Sequence, residues 1–125
     1  MKHNRLLTIA SATLLIVSFL FSPQVLAHAH LKSATPAAES TVESVHGNLT
    51  LHFTEALEPT FSNAYVTDIQ GNTITTHKAV VDETDKSALI ITVGDALPSG
   101  KYTVNWQVVA EDGHKTKGSY TFTVK

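Results

Sequence analysis

The chain has 125 residues and a mass of 13.5 kDa, with nine Lys or Arg against eleven Asp or Glu and a formal net charge of −2. This length suits one ordinary domain, and the lack of a basic surplus argues against a nucleic-acid-binding protein. The absence of cysteine excludes disulfides, thiolate metal sites and thiol nucleophiles.

The first 27 residues have the pattern of a secretory signal peptide. Two basic residues precede the mostly apolar, uncharged stretch 6–21, and the short side chains of Val25 and Ala27 mark a cleavage site. A membrane anchor is the alternative, but a span needs about 20 apolar residues. Cleavage after Ala27 predicts a mature domain of residues 28–125. Cleavage two residues later would leave His30 first; we expect the earlier site.

The predicted mature domain is acidic and contains no sulfur. It has seven Lys and eleven Asp or Glu, a net charge of −4, and the only methionine of the chain, Met1, lies in the signal peptide. Thiolate and thioether are the ligands that favour Cu(I). A secreted domain of this size without disulfides must be held together by its own apolar core.

The mature domain shows the alternation of short β-strands. Leu49, Leu51 and Phe53 share one face of a half-buried strand, and residues 64–69 and 73–76 flank a turn and predict a hairpin. Further strands are predicted at 88–93, 101–109 and 120–124, and residues 80–87 are predicted to be a solvated connector. Tyr102, Val104, Trp106 and Val108 fall on one face, with Trp106 expected in the core. About seven strands without helical periodicity predict an all-β antiparallel sandwich or small Greek-key barrel.

Cleavage after Ala27 would give the domain a metal-binding N-terminus. The free amine and the ring Nδ1 of His28 can chelate one ion, and a second histidine would complete the arrangement called a histidine brace. The Asp112-Gly113-His114 segment offers a carboxylate and an imidazole, which an extended backbone would point to the same side. Amine and imidazole nitrogens suit Cu(II), which accepts tetragonal nitrogen and oxygen sites.

Each of these features also has an interpretation without metal. Any residue can follow a cleavage site, and Asp-Gly is first of all a turn signal.

The sequence His28-Ala29-His30 is in addition an amine-x-His chelator, which binds Cu(II) or Ni(II) through the amine, two backbone amides and the His30 ring. Glu55 is either an exposed acid at a strand end or a group that orients a ligand histidine. The other histidines, His46, His52 and His77, are not predicted to bind metal.

The mature chain resembles the CopC family of periplasmic copper-binding proteins, in particular its YobA-like branch. The matching stretches cover nearly the whole domain: residues 28–37, the Phe53-Thr54-Glu55 segment with 57–62, residues 100–106, and Glu111 to Gly118 followed by 122–125. The N-terminal histidine, the Phe-Thr-Glu segment and the Trp-x-Val-Val-x-x-Asp-x-His pattern are specific in combination.

The resemblance implies a seven-stranded Greek-key β-barrel or sandwich, cupredoxin-like or Ig-like. It implies a Cu(II) site formed by His28, Asp112 and His114, with Glu55 as an outer or weak ligand. His30 is an additional candidate on its position alone, since an extended backbone would turn it to the same side as His28. It further implies a periplasmic, non-enzymatic role in copper homeostasis or resistance, beside an inner-membrane CopD-type copper transporter. Some members carry a methionine-rich Cu(I) loop, which this mature sequence lacks.

Two other functions compete with a monomeric copper carrier or buffer. A copper-dependent oxidative enzyme also uses a histidine brace, but catalytic metals need an open coordination position. Three nitrogens and one carboxylate would fill the plane of the ion, which favours binding over catalysis. A metal-free β-sandwich interaction module is the second competitor, and it predicts no specific copper affinity.

Overall fold

Eight β-strands make up the regular structure of the computed structural model, which describes residues 29–125. They are β1 (Leu31–Thr35), β2 (Thr41–Val42), β3 (Gly47–Phe53), β4 (Asn63–Thr67), β5 (Val80–Val81), β6 (Ala88–Gly94), β7 (Gly100–Val109) and β8 (Lys115–Val124). The predicted signal peptide and His28 lie outside the described residues. In the part of the chain that is described, no helix is long and apolar enough to cross a membrane.

The strands form two four-stranded sheets, with the orders β1-β3-β6-β5 and β2-β8-β7-β4. Every neighbouring pair is antiparallel except β2 and β8, which run parallel over two residues. The prediction of an all-β sandwich is confirmed. The eight strands, where about seven were predicted, include two of only two residues each.

The core lies between the two sheets and follows the predicted alternation. Leu49, Leu51 and Phe53 of β3 are buried, and β7 buries Tyr102 and Val104 from the opposite sheet. Burial of such side chains is the main favourable contribution to folding, at about 25 cal/mol per Å² of apolar surface. The domain is therefore stabilised by packing between its sheets.

The segment after β4 differs from the predicted hairpin. One bridge, between Thr67 and Thr73, and two backbone bonds join the two sides: the Asp68 N–H donates to the Asn72 carbonyl at 2.9 Å, and the Ile74 N–H donates to the Val66 carbonyl at 2.8 Å. The chain then crosses to the other sheet, where the His77 N–H donates to the Thr92 carbonyl. There Val80–Val81, predicted as part of a connector, pairs with β6. The hairpin prediction is wrong for residues 75 and 76, because the chain leaves β4 after Ile74 and crosses to a free edge of β6.

Tyr120 brings an unpaired hydroxyl into this core. The residue is 7% exposed, and its hydroxyl has no hydrogen-bond partner among the described residues. Burial raises the pKa of Tyr120 from its ordinary value of 10.0 to about 12. The hydroxyl therefore loses hydration on folding without gaining a hydrogen bond in return.

We expect Tyr120→Phe to raise the free energy of unfolding at neutral pH by about 1 kcal/mol, because it removes a buried polar group that has no partner. The folded state holds the Tyr120 proton more tightly than the unfolded state does. The wild-type chain should therefore lose stability as pH rises from about 10 to about 12, and the variant should lose less. Urea unfolding at pH 7 and pH 11 measures both effects. If both proteins lost the same unfolding free energy between pH 7 and pH 11, the loss at high pH would not come from Tyr120.

Candidate metal centre

The Asp112-Gly113-His114 segment forms the turn between the two longest strands, β7 and β8. The Gly113 N–H donates to the Ala110 carbonyl at 2.8 Å, and the Ala110 N–H donates to the His114 carbonyl at 3.0 Å. Gly113 has a φ of +90°, a conformation that glycine adopts readily. A Cβ at this position would meet nothing within 4 Å, so the backbone conformation favours glycine here, whereas space does not require it.

This turn brings Asp112 and His114 together. One carboxylate oxygen, Oδ1, accepts the His114 N–H at 3.0 Å, and the other, Oδ2, lies 2.9 Å from His114 Nδ1. The two side chains are 37% and 47% exposed, so solvent reaches the pair. The prediction that an extended backbone points both side chains to the same side is wrong. A turn brings the two side chains together instead.

A second feature near this turn is the peptide unit that joins Ala29 to His30, which is held from both sides. The Thr116 hydroxyl donates to the Ala29 carbonyl at 2.6 Å, while the His30 N–H donates to Thr54 Oγ1 at 3.0 Å. The Thr54 N–H in turn donates to the His30 carbonyl at 2.9 Å. We call Ala29, His30, Thr54 and Thr116 the N-terminal clamp. It fixes residue 29 beside Thr116, two residues after His114 on β8.

The aromatic pair Phe53 and Trp106 closes the core at this end of the sandwich. Their rings meet edge to face, with centroids 5.1 Å apart and an interplanar angle of 79°. Trp106 pairs with Gly118 across β7 and β8. This pair is the next one that faces inward after the pair of Val108 and Thr116. A Cβ added at Gly118 would come within 2.9 Å of the indole atoms Cε2 and Cη2. The missing side chain at Gly118 is therefore what makes room for the indole.

Glu55 follows Thr54 on an exposed bend. The next residue, Ala56, accepts the Glu111 N–H at 3.0 Å through its carbonyl, and Leu57 forms a bridge with Ala110. The backbone thus places Glu55 in a segment that is paired to the residues immediately before Asp112.

The histidines that were not predicted as ligands lie elsewhere. His52 has Asp85 as a neighbour, with Nδ1 and Oδ2 3.8 Å apart. Hydrogen bonds from Ser87, and the nearby His52 and Lys32, lower the pKa of Asp85. His46 and His77 line separate cavities of about 220 and 260 Å³. Among residues 29–125, no three His, Asp or Glu side chains are grouped closely enough to hold a metal ion. His28, the remaining predicted ligand, lies outside that range.

The chain is similar to several known proteins over most of its length. The family model described as "CopC domain" matches residues 31–125 of this chain. Protein YobA of Escherichia coli strain K12 is 44% identical over 114 residues, which make up 91% of this chain and 92% of that protein. PcoC, a methionine-rich copper resistance protein from Escherichia coli, is 35% identical with a TM-score of 0.69, over 79% of this chain and 100% of its own. CopC from Methylosinus trichosporium OB3b is 28% identical with a TM-score of 0.72, over 78% and 94% of the two chains.

Proposed function

The chain belongs to the CopC domain family, and we propose on that basis that it is a periplasmic copper-binding protein, a carrier or buffer in copper homeostasis or resistance. The observation that carries the proposal is the paired Asp112 and His114 beside the N-terminal clamp. The signal-peptide pattern over residues 1–27 supports export, and cleavage after Ala27 would supply His28 with its free amine.

We propose that His28, Asp112 and His114 hold the ion. Donors in neighbouring corners of a square plane, each about 2.0 Å from the metal, lie about 2.8 Å apart. His114 Nδ1 and Asp112 Oδ2 are 2.9 Å apart, which suits two such corners. Ala29 is tied to Thr116, two residues after His114, and we propose that His28, the residue before Ala29, reaches the same place with its amine and ring. Glu55 is proposed to lie outside this plane as an orienting acid.

We propose Cu(II) as the cargo because the donors are nitrogen and oxygen. PcoC is described as methionine-rich, whereas the only methionine here is Met1 and no cysteine is present. Nitrogen and carboxylate ligands in a plane favour Cu(II), while Cu(I) prefers sulfur. With four positions of the plane filled, little room is left for a substrate, which supports binding over catalysis. An inner-membrane CopD-type transporter is the partner that the family suggests.

The test is a Cu(II) competition titration on residues 28–125 and on two histidine variants. We expect His114→Ala to weaken the affinity by about 100-fold, since removing one ligand or its orienting partner costs at least 10–100-fold in other metal sites. His52→Ala is the matched control, because His52 is also a half-exposed histidine beside an aspartate, and it should bind like the wild type. Equal affinities in all three proteins would contradict the proposed site, and only background binding of Cu(II) by all three would favour a metal-free module.

A further inference from the structure

The N-terminal clamp acts on the atoms that a competing copper chelate would need. A free amine followed by Ala29 and His30 can bind a square-planar ion through the amine, the amide nitrogens of both residues and His30 Nδ1. To form this chelate, the metal replaces the two amide protons, which leave to water. Such a site needs no fold, and it would use the same amine as the site proposed above.

The hydrogen bond from His30 to Thr54 stands directly in the way of that chelate. A deprotonated amide nitrogen binds metal along the direction in which its proton pointed. In the structure this direction leads to Thr54 Oγ1, 3.0 Å from the His30 nitrogen. A metal ion on this nitrogen would have to occupy the position of the threonine hydroxyl.

Turning the peptide away from Thr54 would disrupt the rest of the clamp. The Ala29 carbonyl, which belongs to the same peptide unit as the His30 N–H, would leave the Thr116 hydroxyl. The Ala29 side chain, which is fully buried in the core, would have to shift as well. Each hydrogen bond contributes modestly, but the two that this peptide unit makes, with Thr54 and with Thr116, together oppose its rotation.

From this geometry we infer that Thr54, with Thr116, determines the copper specificity of the N-terminus: the clamp blocks the amine-x-His chelate and reserves the amine for the Asp112–His114 site. Thr54 and Thr116 are positioning residues, since neither needs to contact the ion. This inference rests on the proposed function for its biological sense, but the blocking itself depends only on the clamp.

The experiment uses Ni(II), because the amine-x-His chelate forms a square-planar complex with this ion that has its own visible absorption band. Residues 28–125 carrying His114→Ala are titrated at fixed pH, folded and in urea, beside the free peptide of residues 28–32. We expect the peptide and the unfolded chain to form the complex, and the folded chain to form it about 30-fold less readily, from the combined loss of two hydrogen bonds.

Two substitutions at Thr54 test whether its hydroxyl is the cause of the weak Ni(II) binding expected of the folded chain. In the same background, Thr54→Val removes the accepting hydroxyl and should raise the affinity of the folded chain for Ni(II) about fivefold. Thr54→Ser keeps the hydroxyl and should leave it unchanged. Thr54 is exposed, so neither variant disturbs the core. A folded chain that binds Ni(II) as the peptide does, or a Thr54→Val variant like Thr54→Ser, overturns the inference. The proposed function is judged separately, by the Cu(II) affinity lost with His114→Ala.

Discussion

One extra residue ahead of His28 should reduce Cu(II) affinity by at least about 100-fold, which corresponds to about 3 kcal/mol. The extension converts the amine of His28 into an amide and so removes one ligand and the chelate ring that it closes with the imidazole. No residue of the sandwich is altered, so the fold should be unaffected. A competition titration on residues 28–125, with and without a single added glycine, measures the effect.

Two controls make this result specific. A glycine added after Lys125 changes the mass and charge equally but leaves the N-terminus free, and it should bind copper as the unmodified protein does. A protein that carries both the N-terminal glycine and His114→Ala should lose less Cu(II) binding free energy than the sum of the losses from the two single changes. The reason is that both changes disable one site. If the extended protein kept its affinity, the amine would not be a ligand and the histidine brace would be wrong.

Replacing Gly118 by valine should lower the free energy of unfolding by about 3 kcal/mol, the upper range for overpacking a core. The new side chain would collide with the indole of Trp106, which packs edge to face against Phe53. Ser119→Val is the matched control, since Ser119 is the exposed neighbour on the same strand, and its effect should stay within about 0.5 kcal/mol. Urea unfolding followed by circular dichroism compares the two.

The cause can be isolated by shrinking the indole. In a Trp106→Ala background the collision is gone, so Gly118→Val should cost far less than it does in the wild type. Equal destabilisation by Gly118→Val and Ser119→Val would show that the indole gives way freely, and the close approach at Gly118 would then have no energetic importance.

The alternation of apolar residues predicted the interior strands well, because one face of each is buried. The alternate apolar residues Leu49, Leu51 and Phe53 predict β3, and the alternation from Tyr102 to Val108 predicts β7. The edges were harder to predict. β1 and the first half of β8, which begins Lys115-Thr116-Lys117, carry mostly polar or exposed residues. These strands exist because a partner strand satisfies their backbone, which local composition does not reveal.

The candidate ligands could be predicted from the sequence, but their geometry could not. Asp112 and His114 were identified by spacing, yet a glycine turn brings them together where an extended strand was expected. Thr54 and Thr116 drew no attention, because threonine is common in strands and nothing local marks a hydroxyl that holds a distant peptide. Only the tertiary structure shows that both touch one peptide unit.

The bond between Thr116 and Ala29 joins residues that are 87 positions apart. An ion held between the N-terminus and the Asp112–His114 turn would therefore act as a removable cross-link that closes a loop of almost the whole domain. Closing a long loop restricts the conformational entropy of the unfolded chain, and a ligand that binds only the folded state also stabilises that state by mass action. Loading and unloading of the cargo would thus be coupled to the lifetime of the fold, and the emptied protein would be the form more exposed to proteolysis.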